Sequence, residues 1–239
     1  MDLQEHTSAR ASLTDDGPPA SPQHVKRELQ AAGYSLQANR KSVEGTHHPD
    51  RDAQFHFISE TVKTAIRRKQ PVISVDTKKK ELVGNFKNAG REWRRTGKPT
   101  LVNVHDFPDE QQGKAIPYGV YDIAANNGWV SVGINHDTAE FAVASIAKWW
   151  TKMGKSAYPH ARELTITADS GGSNSYRTRA WKVCLQKMAD KSGLRIHVRH
   201  FPPGTSKWNK IEHRMFCHIS QNWRARPLID RETVVSLIG

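Results

Sequence analysis

Phe55, Ile58, Val62 and Ile66 recur at the spacing of one helical face. The cations Arg67, Arg68 and Lys69 then stand where they complement a helix C-terminus. A helix of about 15 residues is predicted there. Beyond Pro71 the pattern changes to Val72-Ile73-Ser74-Val75-Asp76, a short, β-branched, mostly apolar run with a polar terminus, which reads as a strand ending at Asp76. Tyr118 to Ala124 and Trp129 to Ile134 flank Asn126-Asn127-Gly128 and predict a hairpin. Asp137-Thr138-Ala139-Glu140 has capping-box spacing, and Val143, Ile146, Ala147, Trp150 and Met153 form an apolar face that ends at Gly154. Leu164 to Asp169 is a second strand closing on an aspartate, with Gly171-Gly172-Ser173-Asn174 as its exit turn. A helix from about Ser175 to Ala189 turns Trp181, Leu185 and Met188 inward, with Gly193 past its end. The strand Leu194 to His200 is stopped by Pro202-Pro203-Gly204. A last helix begins near Asn209, with Ile211, Met215 and Ile219 on one face.

Upstream, residues 1–20 are polar and include Asp15-Asp16-Gly17-Pro18-Pro19, so a disordered lead is expected. Ser21 can cap a short helix that has Pro22 at its first position, Val25, Leu29 and Ala32 at helical spacing, and Gly33 as terminator. The polar stretch from Gln37 to Asp50, broken by Gly45 and Pro49, reads as a linker. The principal domain is then 51–239. Three strands in antiparallel order, followed by strands alternating with helices, predict an α/β ribonuclease H-like fold: a mixed five-stranded sheet flanked by helices, with a short N-terminal helical piece before it.

The chain has 239 residues, enough for one large domain. Lys and Arg number 36 against 24 Asp and Glu, and the net charge of +12 points to a polyanionic partner, with nucleic acid ahead of a membrane surface. No stretch approaches the roughly 20 apolar residues that span a bilayer. The polar start lacks the apolar core of a signal peptide, so a cytoplasmic protein is expected. Cys184 and Cys217 stand far apart with no Cys-x-x-Cys spacing, which leaves two buried free thiols as the reading.

The candidate chemistry lies in three carboxylates. Asp76 and Asp169 close two predicted strands, and Glu212 falls in the first turn of the last helix. Neighbouring strands lie about 4.8 Å apart, so two strand-terminal carboxylates can share one edge of a sheet, and a helix crossing that edge can bring the third. Such an all-oxygen set suits magnesium, which keeps positions open for water and substrate phosphate. Two ions about 3.5–4 Å apart stabilise both the attacking and leaving oxygens of an in-line displacement. Each carboxylate also has a structural explanation: Asp is common where strands end in turns, and Glu212 stands three after Asn209 as in a capping box.

Three segments, Val72 to Glu81, Thr167 to Asn174 and Pro202 to His213, resemble the signature blocks of the Rhodopirellula-type transposase DDE domain, a bacterial relative of the mariner-like transposases. The resemblance covers roughly residue 22 onward. It implies Asp76, Asp169 and Glu212 as the catalytic and metal-binding triad, Mg2+ as cofactor with Mn2+ as a substitute, and no small-molecule cofactor. Such transposases carry an N-terminal helix-turn-helix region, of which 21–50 resembles a remnant with its linker. With Val234-Val235-Ser236-Leu237-Ile238-Gly239 ending the chain without a cap, the sequence reads as truncated at both ends.

Lys78, Lys79, Lys80, Arg91, Arg94 and Arg95 cluster between the first strand and the hairpin, beside Lys87 and Trp93, as a DNA-backbone contact or a solvated charged loop. Lys207, Trp208 and Lys210 stand next to Glu212 and are better placed to touch DNA. His213, Cys217 and His218 lack the second pair that a zinc site needs. The Gly171 turn lacks the Gly-Lys of a nucleotide loop. Trp149, Trp150 and Trp181 read as core.

The expected function is magnesium-dependent cleavage of double-stranded DNA at element ends and strand transfer into target DNA, in a nucleoid-associated, cytoplasmic protein that can assemble as a homo-oligomer. The alternatives are a catalytically idle, DNA-binding remnant and a stand-alone nuclease of the same fold.

Overall fold

The computed structural model of the chain describes residues 21–37, 49–107, 113–205 and 208–239. The lead expected over 1–20, most of the linker and Lys207 lie outside the described residues. The chain divides into two compact units, Met1–Gly45 and Thr46–Gly239. Within the first, helix α1 (Pro22–Ala31) starts as the sequence predicts: Pro22 follows Ser21, whose side chain accepts the His24 N–H at 3.2 Å. Leu29, expected on the apolar face, is exposed.

The second unit opens with helix α2 (Arg51–Arg67), slightly longer than predicted. Strand β1 (Val72–Thr77) follows, then the two-residue strand β2 (Glu81–Leu82), and then the hairpin β3 (Lys114–Asp122) and β4 (Asn127–Gly133). Helix α3 (Ala139–Trp149) runs on through a π turn at Trp150–Gly154 into Lys155–Ala157. Strand β5 (Glu163–Ala168), a 3-10 turn at Gly172–Asn174, helix α4 (Arg179–Ser192) and strand β6 (Arg195–His200) complete the alternating part. The helix that carries Glu212 is α-helical at Lys210 and Ile211, passes through a π turn at Glu212–Phe216, and continues as α5 (Cys217–Asn222).

The strands β4, β3, β1, β5 and β6 lie side by side in that order, and β2 pairs with the first residues of β3. β1 and β4 run antiparallel to β3, whereas β1, β5 and β6 are mutually parallel. This is the mixed five-stranded sheet expected, with one short strand added. β3 begins four residues earlier than predicted. Pro117 within it lacks an N–H but keeps its carbonyl, which accepts the Lys78 N–H at 2.9 Å, so the proline does not end the strand.

Alternation along β3 divides the interior in two, with Tyr118 and Val120 on one side and Ala115 and Tyr121 on the other. Ile73 and Val75 join Tyr118, Ile166, Trp149 and Trp181 in the core beneath α3 and α4. Tyr121, Ile211, Phe216, Ile219 and Trp223 form a second core on the Glu212 helix. Trp149 and Trp181 are core residues, as predicted, and Trp150 packs against them. Helix α6 (Arg231–Ser236), not anticipated, is capped by Asp230, which accepts the Thr233 N–H at 2.6 Å, and it buries Val234 in the second core.

One expected cap is replaced and one helix starts later than expected. Thr138, not Asp137, caps α3, accepting the Phe141 N–H at 3.2 Å. The helix expected from Ser175 starts at Arg179, because a 3-10 turn occupies Gly172–Asn174 and Ser175 leaves it in an extended conformation.

Candidate active site

In the parallel pairing of β1 with β5, Val75 stands opposite Ala168, so the residues that follow, Asp76 and Asp169, emerge side by side at the same edge of the sheet. Strand-terminal carboxylates on adjacent parallel strands are therefore set by register. Asp76 Oδ1 accepts the Thr77 N–H at 2.8 Å, and Asp169 Oδ1 accepts the Gly171 N–H at 3.2 Å. Asp169 is thus held by the glycine turn that follows it.

Glu212 arrives by a different device. Asn209 is completely buried. Its amide donates to the Val75 carbonyl at 3.1 Å and to Asp76 Oδ2 at 3.2 Å, while its Oδ1 accepts from the Ser74 hydroxyl. The Ser74 hydroxyl oxygen in turn accepts the Ile211 N–H at 3.1 Å. The residues leading into the Glu212 helix are therefore bonded to the strand that carries Asp76. The capping box expected of Asn209 and Glu212 is not formed by the Asn209 side chain, which serves β1 instead. The helix can lie close because Gly119, the β3 partner of Asp76, has no side chain: a Cβ there would stand 2.6 Å from Met215 Cε and from Phe216 Cε1.

The electrostatics of the three groups agree. Burial, followed by the neighbouring charge of Asp169, pushes the Asp76 carboxyl up to about 7. Burial also raises Asp169, against the Gly171 N–H and His200, and raises Glu212, against the Lys78 and His213 charges. A half-buried set of like charges with raised proton affinity is relieved by a cation. Among the described residues no group of three His, Cys, Asp or Glu side chains is drawn tightly enough to hold a metal ion by itself.

A fourth carboxylate, Asp137, shares with Asp76 and Asp169 the lining of one hollow and accepts from the Thr77 hydroxyl at 3.0 Å. Its sequence context pointed only to a helix cap, and nothing in the spacing relates it to Asp76.

The basic residues separate into groups. Lys79 and Lys80 are exposed beside the carboxylates, and Lys210 is exposed two residues before Glu212. Trp208 is half exposed, with its ring edge-on to Phe55 at 6.0 Å. Arg91, Arg94 and Arg95 are exposed in the β2–β3 connection, and Arg94 pairs with Glu92 at 2.7 Å. Lys78 departs from its expected role as a surface contact to DNA. It is 7% exposed, with Nζ 4.5 Å from the ring centroid of Trp223, a member of the second core, and 3.6 Å from Glu81.

The model of the Rhodopirellula transposase DDE domain matches residues 4–239. Similar solved structures include a Mos1 transposase paired-end complex with the left transposon end, at 12% identity and TM-score 0.54, and a pre-cleavage Mos1 transpososome, at 11% and 0.54. A Mos1 mariner paired-end complex with Mn is similar at 12% identity and TM-score 0.50. Each comparison covers 99% of this chain and 69% of the other. No curated protein matches. The sheet order, the two aspartates at the ends of β1 and β5 and the family match over residues 4–239 agree: the chain belongs to the Rhodopirellula transposase DDE domain family.

Proposed function

We propose that this DDE transposase cuts DNA strands at the ends of its element and joins the freed ends to target DNA, using Asp76, Asp169 and Glu212. The observation that carries the reading is the β1–β5 register, which sets Asp76 beside Asp169, together with the Asn209 bonds that tie the Glu212 helix to β1. In the first step the oxygen of water attacks phosphorus in line and the 3′-oxygen leaves, giving a 3′-hydroxyl and a 5′-phosphate. In the second, that 3′-hydroxyl attacks a target phosphodiester and displaces its 3′-oxygen, so no covalent protein intermediate forms.

Asp76, Asp169 and Glu212 would hold the divalent cation, Mg2+ with Mn2+ as a substitute. When bound, the cation supplies Lewis-acid polarisation of the phosphoryl oxygens and, as a pair of ions, a clamp on the attacking and leaving oxygens. The chain's own part is to fix these carboxylates: Asn209 orients Asp76, and the Gly171 N–H orients Asp169. Lys79 and Lys80, which line the hollow with Asp76 and Asp169, would neutralise phosphates, with the exposed Lys210, Trp208, Arg91, Arg94 and Arg95 as further DNA contacts. Double-stranded DNA, both element end and target, is the partner, with a second copy of the chain in the assembly. Among the described residues no helix is long and apolar enough to cross a membrane; a nucleoid-associated, cytoplasmic location is part of this proposal through its DNA partner.

The test is Mg2+-dependent nicking of supercoiled DNA by the purified chain beside Asp169→Asn. Loss of several kcal/mol of metal-assisted stabilisation lowers the rate about a thousandfold. Equal nicking by both proteins, or binding without nicking by the wild type, would leave a DNA-binding role in its place.

A further inference from the structure

Asp169 borders two hollows. One, of about 250 Å³, is shared with Asp76, Thr77 and Asp137. The other, of about 380 Å³, is shared with Gly171, Tyr176, Arg177 and the turn at Pro202 and Pro203. The second is unused by the chemistry above, and its walls are built.

Tyr176 is 43% exposed, and its ring is buttressed by His200 in an edge contact at 5.9 Å. His200 is itself fixed by a 2.7 Å hydrogen bond between Nε2 and the Asn174 carbonyl. The Arg177 guanidinium stands 5.4 Å from the centre of the Tyr176 ring, and its Nε donates to the Tyr176 hydroxyl at 3.1 Å. The far side is held in shape from within. The Thr205 hydroxyl donates to the Pro202 carbonyl, and the Ser170 hydroxyl donates to the Phe201 carbonyl at 3.3 Å. An aromatic ring, a guanidinium over it and an apolar proline wall thus meet next to a carboxylate of the candidate active site.

A planar, weakly polar body with a phosphate attached matches these walls. A base stacks on an aromatic ring with any sequence, and arginine recognises phosphate with a planar fork of donors. A base in an intact duplex cannot present its face to Tyr176, because its own stack covers it, so the occupant is an unpaired nucleotide. We propose that this hollow holds one unstacked nucleotide of the strand being processed, with its base against Tyr176 and the proline wall and its phosphate on Arg177. The proposal rests on the reading of Asp169 as part of a DNA-cutting site. It adds that the strand leaves the duplex next to the cut, so the substrate class is a locally unpaired end rather than a uniform duplex.

The test compares two probes: a blunt duplex, and the same duplex with a short extension of unpaired thymidines. Tyr176→Ala is expected to bind the extended probe roughly tenfold more weakly than the wild type, within the range for one base stacked on an aromatic side chain, and the blunt probe equally well. Tyr176→Phe keeps the ring and retains the wild-type affinity. With 5-iodouracil in the extension, irradiation should cross-link the Tyr176 peptide. Equal loss on both probes, no loss on either, or cross-links confined to other peptides such as that of Trp93 would overturn the proposal. Binding of the blunt probe also reports that the variant is folded. Plasmid nicking by the wild type beside Asp169→Asn is measured in the same preparations. A failure of nicking counts against the cleavage reading, whereas the two probes judge the nucleotide site by themselves.

Discussion

The side-chain amide of Asn209 stands 3.2 Å from Asp76 Oδ2 and 3.1 Å from the carbonyl of Val75. One fully buried residue thereby sets the orientation of a carboxylate on β1 and the starting point of the helix that carries another. The site is built by this bond as much as by the carboxylates themselves.

Replacing Asn209 with Ala leaves the Val75 carbonyl and the Ser74 hydroxyl without that partner in a sealed interior. Unmade buried hydrogen bonds cost about 1–3 kcal/mol, which lowers the melting temperature by about 2–4 °C per kcal/mol in a domain of this size. Nicking should fall by more than this instability explains, since Asp76 loses its orientation. A variant with unchanged melting temperature and unchanged Mg2+-dependent rate would show that the bond matters to neither.

Gly119 lies opposite Asp76 in β3 and under Met215 and Phe216. Gly119→Ala inserts a methyl group where three side-chain atoms already stand within 2.7 Å of its place. Overpacking of this kind costs about 1–3 kcal/mol, and relief by an outward shift of the Met215 helix carries Glu212 away from Asp76. Calorimetry and nicking assays on the same sample should show both effects together. Full activity in a destabilised variant would mean that the helix does not move.

The Asp76 carboxyl, pushed up to about 7, makes stability depend on pH in a definite direction. An unfolded aspartate releases its proton near 3.9, so between there and about 7 the folded chain holds a proton that the unfolded chain has lost. This contribution to stability is complete below the unfolded value and is lost as pH rises through the folded one. Asp169 and Glu212, also raised, act with the same sign. Urea unfolding without divalent cations should therefore show stability falling from pH 5 to pH 8, and Asp76→Asn should flatten that fall. A rise over the same interval would contradict the electrostatic account.

Lys78 and its two neighbours should differ in kind. Lys79 and Lys80 are exposed, and removing either should reduce the slope of log affinity for DNA against log salt by about 0.9 for each phosphate that is no longer neutralised. Lys78 is enclosed between Trp223 and Glu81, so Lys78→Met should leave that slope unchanged and alter thermal stability instead. Filter-binding isotherms across a salt series distinguish the three.

Local pattern determined much of this protein. The β-branched run before Asp76, the Asn-Gly hairpin and the apolar face of α3 each follow from residues within about one element of each other, where period and turn chemistry act. The end positions of Asp76 and Asp169 were legible for the same reason. Their adjacency was not, since it depends on which strands pair and in what register, and that is fixed by burial across the whole sheet. Asn209 and Asp137 look like helix caps in sequence because capping is a short-range interaction. Only the packed structure turns Asn209 onto β1 and leaves the cap of α3 to Thr138, freeing Asp137 to meet Thr77. Lys78 reads as one member of a charged run, yet just past the end of β1 it packs against the second core, where an aromatic ring and a glutamate receive it. The chemical groups were written in the chain; their distances, partners and exposure arose when distant segments were pressed together.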